Sequence, residues 1–127
     1  MAGLDEGVPL FVQIAERLAD EIAGGTLAEG GRVPSTNELA AFYRINPATA
    51  AKGISMLTDD GLVEKRRGIG MFVAAGARVR LLAERRKLFA ERYVEPLVAE
   101  AARLGMDANE LVALIRESSH AQEGTRR

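Results

Sequence analysis

The sequence predicts an α+β fold that is mostly α, and three observations support that prediction. Apolar residues recur every fourth position from Leu10 to Ile22, which indicates an amphipathic helix with one buried face. Two helix-start signals lie close together after it, and two short runs bounded by glycines then indicate a β-hairpin. From Arg78 onwards the chain is rich in Ala, Leu, Glu and Arg, which indicates further helices.

The first two helices are predicted from their end signals. The first spans Pro9 to about Ala23, because proline suits a first helical turn and Gly24-Gly25 ends the apolar pattern. Residues 35–38, Ser-Thr-Asn-Glu, form a capping-box pattern in which a serine hydroxyl and a glutamate carboxylate bind each other's backbone N–H groups. The pattern opens a short second helix that ends near Tyr43.

A third helix follows after only three residues, which predicts a helix-turn-helix. Asn46 is a suitable N-cap and Pro47 a suitable first helical residue. The helix continues to about Asp60, and Gly61 is suited to end it. Small Ala40 lies where the two helices must approach each other.

A β-hairpin is predicted directly after the third helix. Residues 62–66 and 70–73 are the strands, and residues 67–69, Arg-Gly-Ile, are the tip. A hairpin in this position turns the helix-turn-helix into a winged helix-turn-helix. In such motifs the helix after the turn enters the major groove of DNA.

The second half of the chain is predicted to be helical. Residues 78–104 read as one long helix that is kinked or interrupted near Pro96. A second capping box at residues 107–110 opens a last helix that reaches about Glu117. The predicted organisation is therefore a winged helix-turn-helix domain over residues 1–75, a helical dimerisation segment over 76–118 and a disordered tail over 119–127.

Composition excludes several classes of protein. The 127 residues include no cysteine and one histidine, His120. A disulfide framework, a thiol nucleophile and a histidine-based metal site are therefore not expected, and we predict no enzyme activity, no cofactor and no metal. The N-terminus lacks a signal-peptide pattern and no apolar run approaches the length of a membrane span, so we expect a cytoplasmic protein with no membrane partner.

The net charge of −1 is uninformative until it is divided along the chain. Residues 1–75 carry 7 basic and 10 acidic groups, whereas residues 76–127 carry 10 basic and 8 acidic groups. Positive charge in the first half is concentrated at Lys52 and at residues 65–67, Lys-Arg-Arg. The sequence therefore predicts a small cationic face rather than a generally basic domain.

Double-stranded DNA is the predicted partner of this cationic face. The candidates are polar, cationic or small residues at helix N-termini, on the third helix and in the wing, where phosphates and base edges come within reach. They are Ser35, Thr36, Asn37, Arg44, Pro47, Ala48, Thr49, Lys52, Arg66, Arg67, Gly68 and Gly70.

Residues 9–73 resemble the DNA-binding domain of the GntR family of bacterial transcription regulators. The matching motifs are Pro-Leu at 9–10, Gln-Ile at 13–14, Gly-Gly-Thr-Leu at 24–27, Arg-Val-Pro-Ser-Thr at 32–36 and Glu-Leu-Ala at 38–40. Asn46, Thr49, Gly-Leu-Val at 61–63 and residues 66–73 complete the match. The short helical second half is similar to the YtrA-like subgroup. This resemblance implies a dimeric repressor of a nearby operon, often one that encodes an ABC transporter. The symmetry of a homodimer in turn predicts a pseudo-palindromic operator.

Three positions depart from the family pattern. Asn37 and Pro47 stand where the family often carries arginines, so base recognition is expected to differ from that of relatives. Arg44 stands at the usual turn glycine, which requires a backbone conformation that is uncommon for residues other than glycine.

Apolar residues in the helical half form a stripe that needs a second partner, and a symmetric dimer is the simplest one. The predicted dimerisation residues are Leu82, Phe89, Tyr93, Leu97, Leu104, Leu111 and Leu114. Two alternatives remain open: a regulator that senses a small molecule of unknown identity in the helical dimer interface, and a winged helix that binds protein rather than DNA.

Overall fold

The computed structural model describes residues 7–125. Its first part contains three helices and a hairpin, and its second part contains helices only. The elements of the first part are α1 (Leu10–Gly24), α2 (Thr36–Tyr43), α3 (Pro47–Asp59), β1 (Val63–Arg66) and β2 (Gly70–Val73). Those of the second part are α4 (Ala77–Phe89), a π-helical turn (Ala90–Val94), α5 (Glu95–Arg103) and α6 (Ala108–Thr125).

The helix α1 begins one residue later than expected and is bounded by a proline and a glycine. Pro9 is the N-cap rather than a helical residue, and its carbonyl accepts hydrogen bonds from the N–H groups of Val12 and Gln13. The helix ends at Gly24 and is capped by Gly25, whose φ of 86° is left-handed and whose N–H donates to the carbonyl of Ile22. The predicted stripe of α1 supplies much of the core.

The turn between α2 and α3 follows the sequence prediction closely. The Ser35 hydroxyl accepts from the N–H of Glu38 at 3.1 Å, and the Ser35 N–H donates to the Glu38 carboxylate at 3.0 Å. Arg44 ends α2 in the left-handed region with φ 56°, as its place at the usual glycine predicted. Asn46 then caps α3, because its side-chain oxygen accepts from the Ala48 N–H at 2.8 Å.

One apolar core joins the first part of the chain to the beginning of α4. Its most deeply buried side chains are Ile14, Ile22, Val33 and Val73. Ala77 and Leu81 of α4 belong to the same cluster. The chain divides into two compact units after Glu84, so the boundary expected at 75/76 falls too early. The reason is that the first turns of α4 bury their apolar side in the core of the first unit.

Polar contacts also fasten the beginning of α4 to the first unit. Arg78 donates to the Ala23 carbonyl at 2.9 Å, and the Arg80 guanidinium donates to the carbonyls of Gly61 and Ala75. The Gly76 N–H donates to the Glu29 carboxylate. The three arginine bonds satisfy carbonyl groups at or just beyond the ends of α1, α3 and β2.

The hairpin is antiparallel, with Val63 paired to Val73 and Arg66 to Gly70. Its tip closes with a hydrogen bond from the Ile69 N–H to the Arg66 carbonyl at 2.9 Å. The segment before α2 adds a third edge, because Arg32 forms a bridge with Phe72. The wing is thereby attached to the segment that leads into α2.

The long helix is interrupted near Pro96, as expected. The interruption is a π-helical turn over Ala90–Val94. The Glu95 N–H donates to the Ala90 carbonyl five residues earlier, directly before Pro96. Proline has no N–H and its ring displaces the carbonyl four residues earlier, so the wider turn accommodates it without ending the helix. After Gly105, the capping box between Asp107 and Glu110 forms as predicted.

The helix α6 extends further than the sequence indicated. The prediction ended this helix near Glu117 and made 119–127 a disordered tail, but α6 continues to Thr125. Residues 116–123 contain Arg, Glu, Ala and Gln and no helix breaker, and His120 lies 3.7 Å from Glu123 one turn later. The polar composition of residues 119–125 is therefore compatible with a helix and does not indicate disorder. Residues 126 and 127 lie outside the described part of the chain.

Candidate nucleic-acid interface

The helix α3 turns one face to the core and the other to solvent. Its buried residues are Ala50, Gly53, Ile54 and Leu57. Ala48, Lys52, Ser55 and Asp59 lie on the opposite face and are exposed. Because the N-terminal residues of such a helix contact base edges in winged-helix complexes, Pro47, Ala48 and Thr49 occupy the position expected of a recognition helix.

Lys52 is held against α1 rather than extended from the helix. Its Nζ lies 4.1 Å from the centroid of the Phe11 ring, which is a cation–π contact. The packing beneath it is tight, since a Cβ placed on Gly53 would lie 3.0 Å from the Phe11 carbonyl oxygen. The Lys52 charge therefore lies beside the N-terminal turn of α1.

The N-terminus of α2 presents Ser35, Thr36 and Asn37. Asn37 is exposed, while Ser35 and Thr36 are half-buried. The Ser35 N–H, and then its hydroxyl, hold the pKa of the Glu38 carboxyl below its usual value. An N-terminal helix turn suits a phosphate oxygen, and these short side chains leave room for it.

The wing carries two arginines in different settings. The Cζ atom of Arg66 lies 4.3 Å from the centroid of the Phe72 ring, and its Nη2 lies 3.4 Å from the Glu64 carboxylate. Arg67 and Gly68 lie beyond the last paired residues, at the exposed tip. Within residues 7–125 no ion pair or ring contact engages Arg67, so its guanidinium is the more available of the two.

Gly70 is favoured by its backbone conformation, and its neighbours lie at ordinary contact distance. Its φ of 141° is rarely adopted by residues with a side chain, and a Cβ there would lie 3.5 Å from the Arg32 Nε atom. Arg32 is therefore placed directly beside the first residue of β2. The glycine keeps this part of the wing thin.

A groove of about 550 Å³ lies between the N-terminus of α2, the solvent side of α3 and the wing. Of the predicted DNA-binding residues it brings together Ser35, Thr36, Asn37 and Gly70. Arg44, Pro47, Ala48, Thr49 and Lys52 are not among its lining residues, and neither are Arg66, Arg67 and Gly68 of the wing.

The groove also contains side chains that were not among the predicted site residues. Arg32 and Lys65 contribute positive charge, Ser55 and Thr58 contribute hydroxyl groups, and Asp59 contributes a negative charge. Lys65 could have been found from the basic run in the wing. Arg32 belongs to the motif at residues 32–36 that matches the family, but its place in the groove depends on the bridge to Phe72.

The predicted dimerisation residues are mostly exposed. Leu82 and Leu111 are half-buried, whereas five others are open to solvent: Phe89, Tyr93, Leu97, Leu104 and Leu114. Phe89 and Tyr93 contact each other, with ring centroids 5.6 Å apart. In the second unit only Ala101 is buried among the described residues, so its apolar side chains lack a core of their own.

Two other kinds of site are not found in the described residues. No group of three or more His, Cys, Asp or Glu side chains is placed to bind a metal ion. Within residues 7–125, every helix is too short or too polar to cross a bilayer.

Three helices, a capped turn and a β-hairpin with an arginine at its tip define a winged helix-turn-helix protein of the DNA-binding type. The chain belongs to the GntR family, because residues 10–73 match the model of the family described as bacterial regulatory proteins, gntR family. Members of this family are DNA-binding transcriptional regulators and not enzymes, so both the predicted family and the predicted absence of enzyme activity are confirmed.

Individual relatives extend the similarity beyond the first unit. The HTH-type transcriptional repressor YtrA of Bacillus subtilis is 27% identical over 91% of this chain and 88% of its own length. A GntR-family regulator from Bacteroides thetaiotaomicron has a solved structure with a TM-score of 0.71 and 30% identity. That alignment covers 89% of this chain and 98% of the other. The predicted fold class, a winged helix-turn-helix followed by a helical segment, is thereby confirmed.

A third similarity concerns a protein solved with DNA. The DNA-binding domain of AraR, in complex with operator ORR3, has 28% identity and a TM-score of 0.52. The alignment covers 58% of this chain and 89% of that domain. The part of this chain that resembles an operator-bound domain is thus about the size of the first unit.

Proposed function

We propose that this protein is a homodimeric repressor that binds a pseudo-palindromic operator with its winged helix-turn-helix. The solvent face of α3 enters a major groove. The tip of the wing, with Arg67, reaches the adjacent minor groove or its phosphates. Since its target is chromosomal DNA, the protein acts in the cytoplasm.

The single observation that carries this proposal is the placement of cations around the exposed face of α3. Lys52 lies on one side of α3, at Phe11, and Arg32 and Lys65 line the groove on the other side. The wing adds Arg66 and Arg67. A chain with net charge −1 gains nothing from bulk attraction to DNA, so this local arrangement has to supply the phosphate contacts.

Repression and dimer formation are supported by two further features. One relative, matched over 91% of this chain and 88% of its own length, is named a repressor. The exposed apolar residues of the second unit, among them Phe89, Tyr93 and Leu97, need a partner surface. A second copy supplies an identical surface, as a twofold interface requires. The resemblance to the YtrA-like subgroup also supports a transporter operon as the target.

The alternative of a protein-binding winged helix is less well supported. Such a module would not need cations on both sides of its third helix and at the wing tip. A small-molecule site in the dimer interface has no polar cluster to support it among the described residues of the second unit.

The proposal is tested by operator binding at several salt concentrations. We expect Lys52→Ala and Arg67→Ala each to weaken operator binding, and each lost phosphate contact to lower the salt slope by about one unit. Arg116→Ala is the matched control, because Arg116 is an exposed arginine on α6. Unchanged operator affinity and salt slope in both Lys52→Ala and Arg67→Ala would contradict the proposed interface.

Dimer formation is tested separately in the full chain by sedimentation. We expect Leu97→Glu to shift the protein towards monomer, because it places a charge on the apolar stripe. Glu91→Lys is the control, because position 91 lies on the other side of the helix from Phe89. A dimer that tolerates Leu97→Glu would exclude the stripe from the interface.

A further inference from the structure

Apart from Lys52, the exposed face of α3 carries short side chains. Ala48 and Ser55 are exposed, and Ala51 is half-buried at the edge of the groove. The thirteen residues of the helix, PATAAKGISMLTD, include no arginine, asparagine or glutamine. Bidentate recognition of guanine by arginine, or of adenine by asparagine or glutamine, is therefore unavailable within this helix.

The two charged side chains on this face, Lys52 and Asp59, are poorly placed to replace such contacts. The Lys52 ammonium lies over the Phe11 ring, 4.1 Å from its centroid, and is directed towards α1. Asp59 is the last residue of α3, at the end opposite to the one that enters a groove. Its carboxylate also repels phosphate.

The side-chain amide of Asn46, directly before the helix, already makes a hydrogen bond. The Asn46 side-chain oxygen accepts the Ala48 N–H at 2.8 Å. A bidentate contact with adenine needs both the oxygen and the nitrogen of an amide. While it caps the helix, Asn46 can contact adenine only through the second lone pair of its oxygen and only in the orientation that the cap fixes.

The N-terminal end of the helix then offers apolar groups: the exposed Pro47 ring, the exposed Ala48 methyl group and the methyl group of half-buried Thr49. Of these, Ala48 lies on the same face as Lys52 and Ser55, which is the face turned to solvent. Small side chains let the helix approach the base edges closely, and the 5-methyl group of thymine projects into the major groove. We infer that Ala48 packs against a thymine methyl group in each operator half-site, so that this base is recognised by an apolar contact. This inference rests on the proposed function and adds the chemistry by which α3 selects sequence.

The inference is tested with the full chain and an operator obtained by selection from random-sequence DNA. Each thymine of the half-sites is replaced in turn by deoxyuridine, which removes only the methyl group. We expect symmetric replacement at one position to weaken binding by about fourfold for each half-site, the value of one buried methyl group. Replacement at the other thymines should have smaller effects.

A double-mutant cycle assigns the effect to Ala48. In Ala48→Gly, we expect deoxyuridine and thymine at that position to bind equally well, because the protein methyl group is gone. Ala51→Gly is the matched control, since it makes the same change in helix propensity one turn away and should keep the thymine preference.

Three results would overturn the inference. The first is an operator in which no position responds to deoxyuridine. The second is a response that persists in Ala48→Gly, or that disappears in Thr49→Ser instead, which would place the contact elsewhere. The third is failure to select any operator, which would overturn the proposed function as well. In the first two results specific binding remains, so they contradict the thymine contact alone.

Discussion

The Arg66 guanidinium lies over the Phe72 ring, with its central carbon 4.3 Å from the ring centroid. The two residues are diagonal neighbours across the hairpin, because Arg66 pairs with Gly70 and Phe72 pairs with Glu64. The Glu64 carboxylate, 3.4 Å from Arg66, is part of the same cluster. Arg66 therefore supports the wing, whereas Arg67 is presented at its tip.

This division predicts different effects for the two wing arginines. Arg67→Ala should weaken operator binding more than Arg66→Ala and should lower the salt slope by about one unit. Arg66→Ala should have the larger effect on unfolding, by up to about 1 kcal/mol, because it removes an exposed cation–π contact. Binding titrations across a salt series and urea denaturation measure the two effects. Equal loss of salt slope in both variants would show that Arg66 also contacts phosphate.

Arg44 is expected to lower the stability of the fold and to strengthen DNA binding. Its φ of 56° is unfavourable for a residue with a Cβ, so Arg44→Gly should stabilise the protein by about 1 kcal/mol. The same change removes a cation from the turn before α3 and should weaken operator binding. Arg44→Ala is the control, because it removes the charge and keeps the Cβ. Equal operator affinity of the wild type and both variants would exclude Arg44 from the interface.

The crossing of α1 and α3 depends on Gly53. A Cβ there would lie 3.0 Å from the Phe11 carbonyl oxygen and 3.2 Å from the Cγ2 atom of Ile14. Gly53→Ala should therefore destabilise the protein by about 1–2 kcal/mol, the usual cost of overpacking. It should also disturb the contact between Phe11 and Lys52. Thermal unfolding measures the first effect.

Gly24 provides the matched control for this glycine. It is also helical, but a Cβ on it would meet nothing within 4 Å. Gly24→Ala should therefore be neutral or raise stability by about 0.5–1 kcal/mol through helix propensity. Equal changes in unfolding stability in Gly53→Ala and Gly24→Ala would contradict a close approach of α1 to α3.

The capping box of α2 predicts a pH dependence. Hydrogen bonds from Ser35 lower the pKa of Glu38 in the folded state. The ionised carboxylate therefore contributes stability above the unfolded-state pKa of about 4.3, and that stability is lost as the pH falls through the lower folded-state value. Glu38→Gln keeps a capping side chain but does not titrate.

Unfolding measured from pH 7 down to strongly acidic pH distinguishes the two proteins. The advantage of the wild type over Glu38→Gln should be constant above the ordinary glutamate pKa and should decline below it. Ser35→Ala, which removes the cap itself, should cost about 1 kcal/mol at neutral pH. An advantage of the wild type that grows as the pH falls would have the wrong sign for this capping box.

Local sequence signals predicted most of the fold. The capping boxes at Ser35 and Asp107, the cap at Asn46 and the left-handed turn at Arg44 each depend on a few neighbouring residues, and the structure contains all of them. The hairpin also forms where its glycines indicated.

The features that sequence did not reveal depend on packing between separate elements. Lys52 meets Phe11, and Arg32 meets Phe72, only because α1 and the segment before α2 lie beside α3 and the wing. The predicted boundary at 75/76 precedes the observed division after Glu84 for the same reason. Ala77 and Leu81 join a core formed by residues far away in the chain. The length of α6 was underestimated because a polar helix and a polar tail have similar composition. The DNA contacts of individual residues remain predictions.

Footprinting of the full-length protein on its selected operator, at a stated salt concentration, tests the central claim most directly. A homodimer of winged helices should protect two inverted half-sites whose centres lie about one helical turn apart, roughly 34 Å, or a multiple of that distance. Lys52→Ala and Arg67→Ala should reduce protection of both half-sites together. Protection of a single, unrepeated site, or none above the level seen on random DNA, would contradict the account.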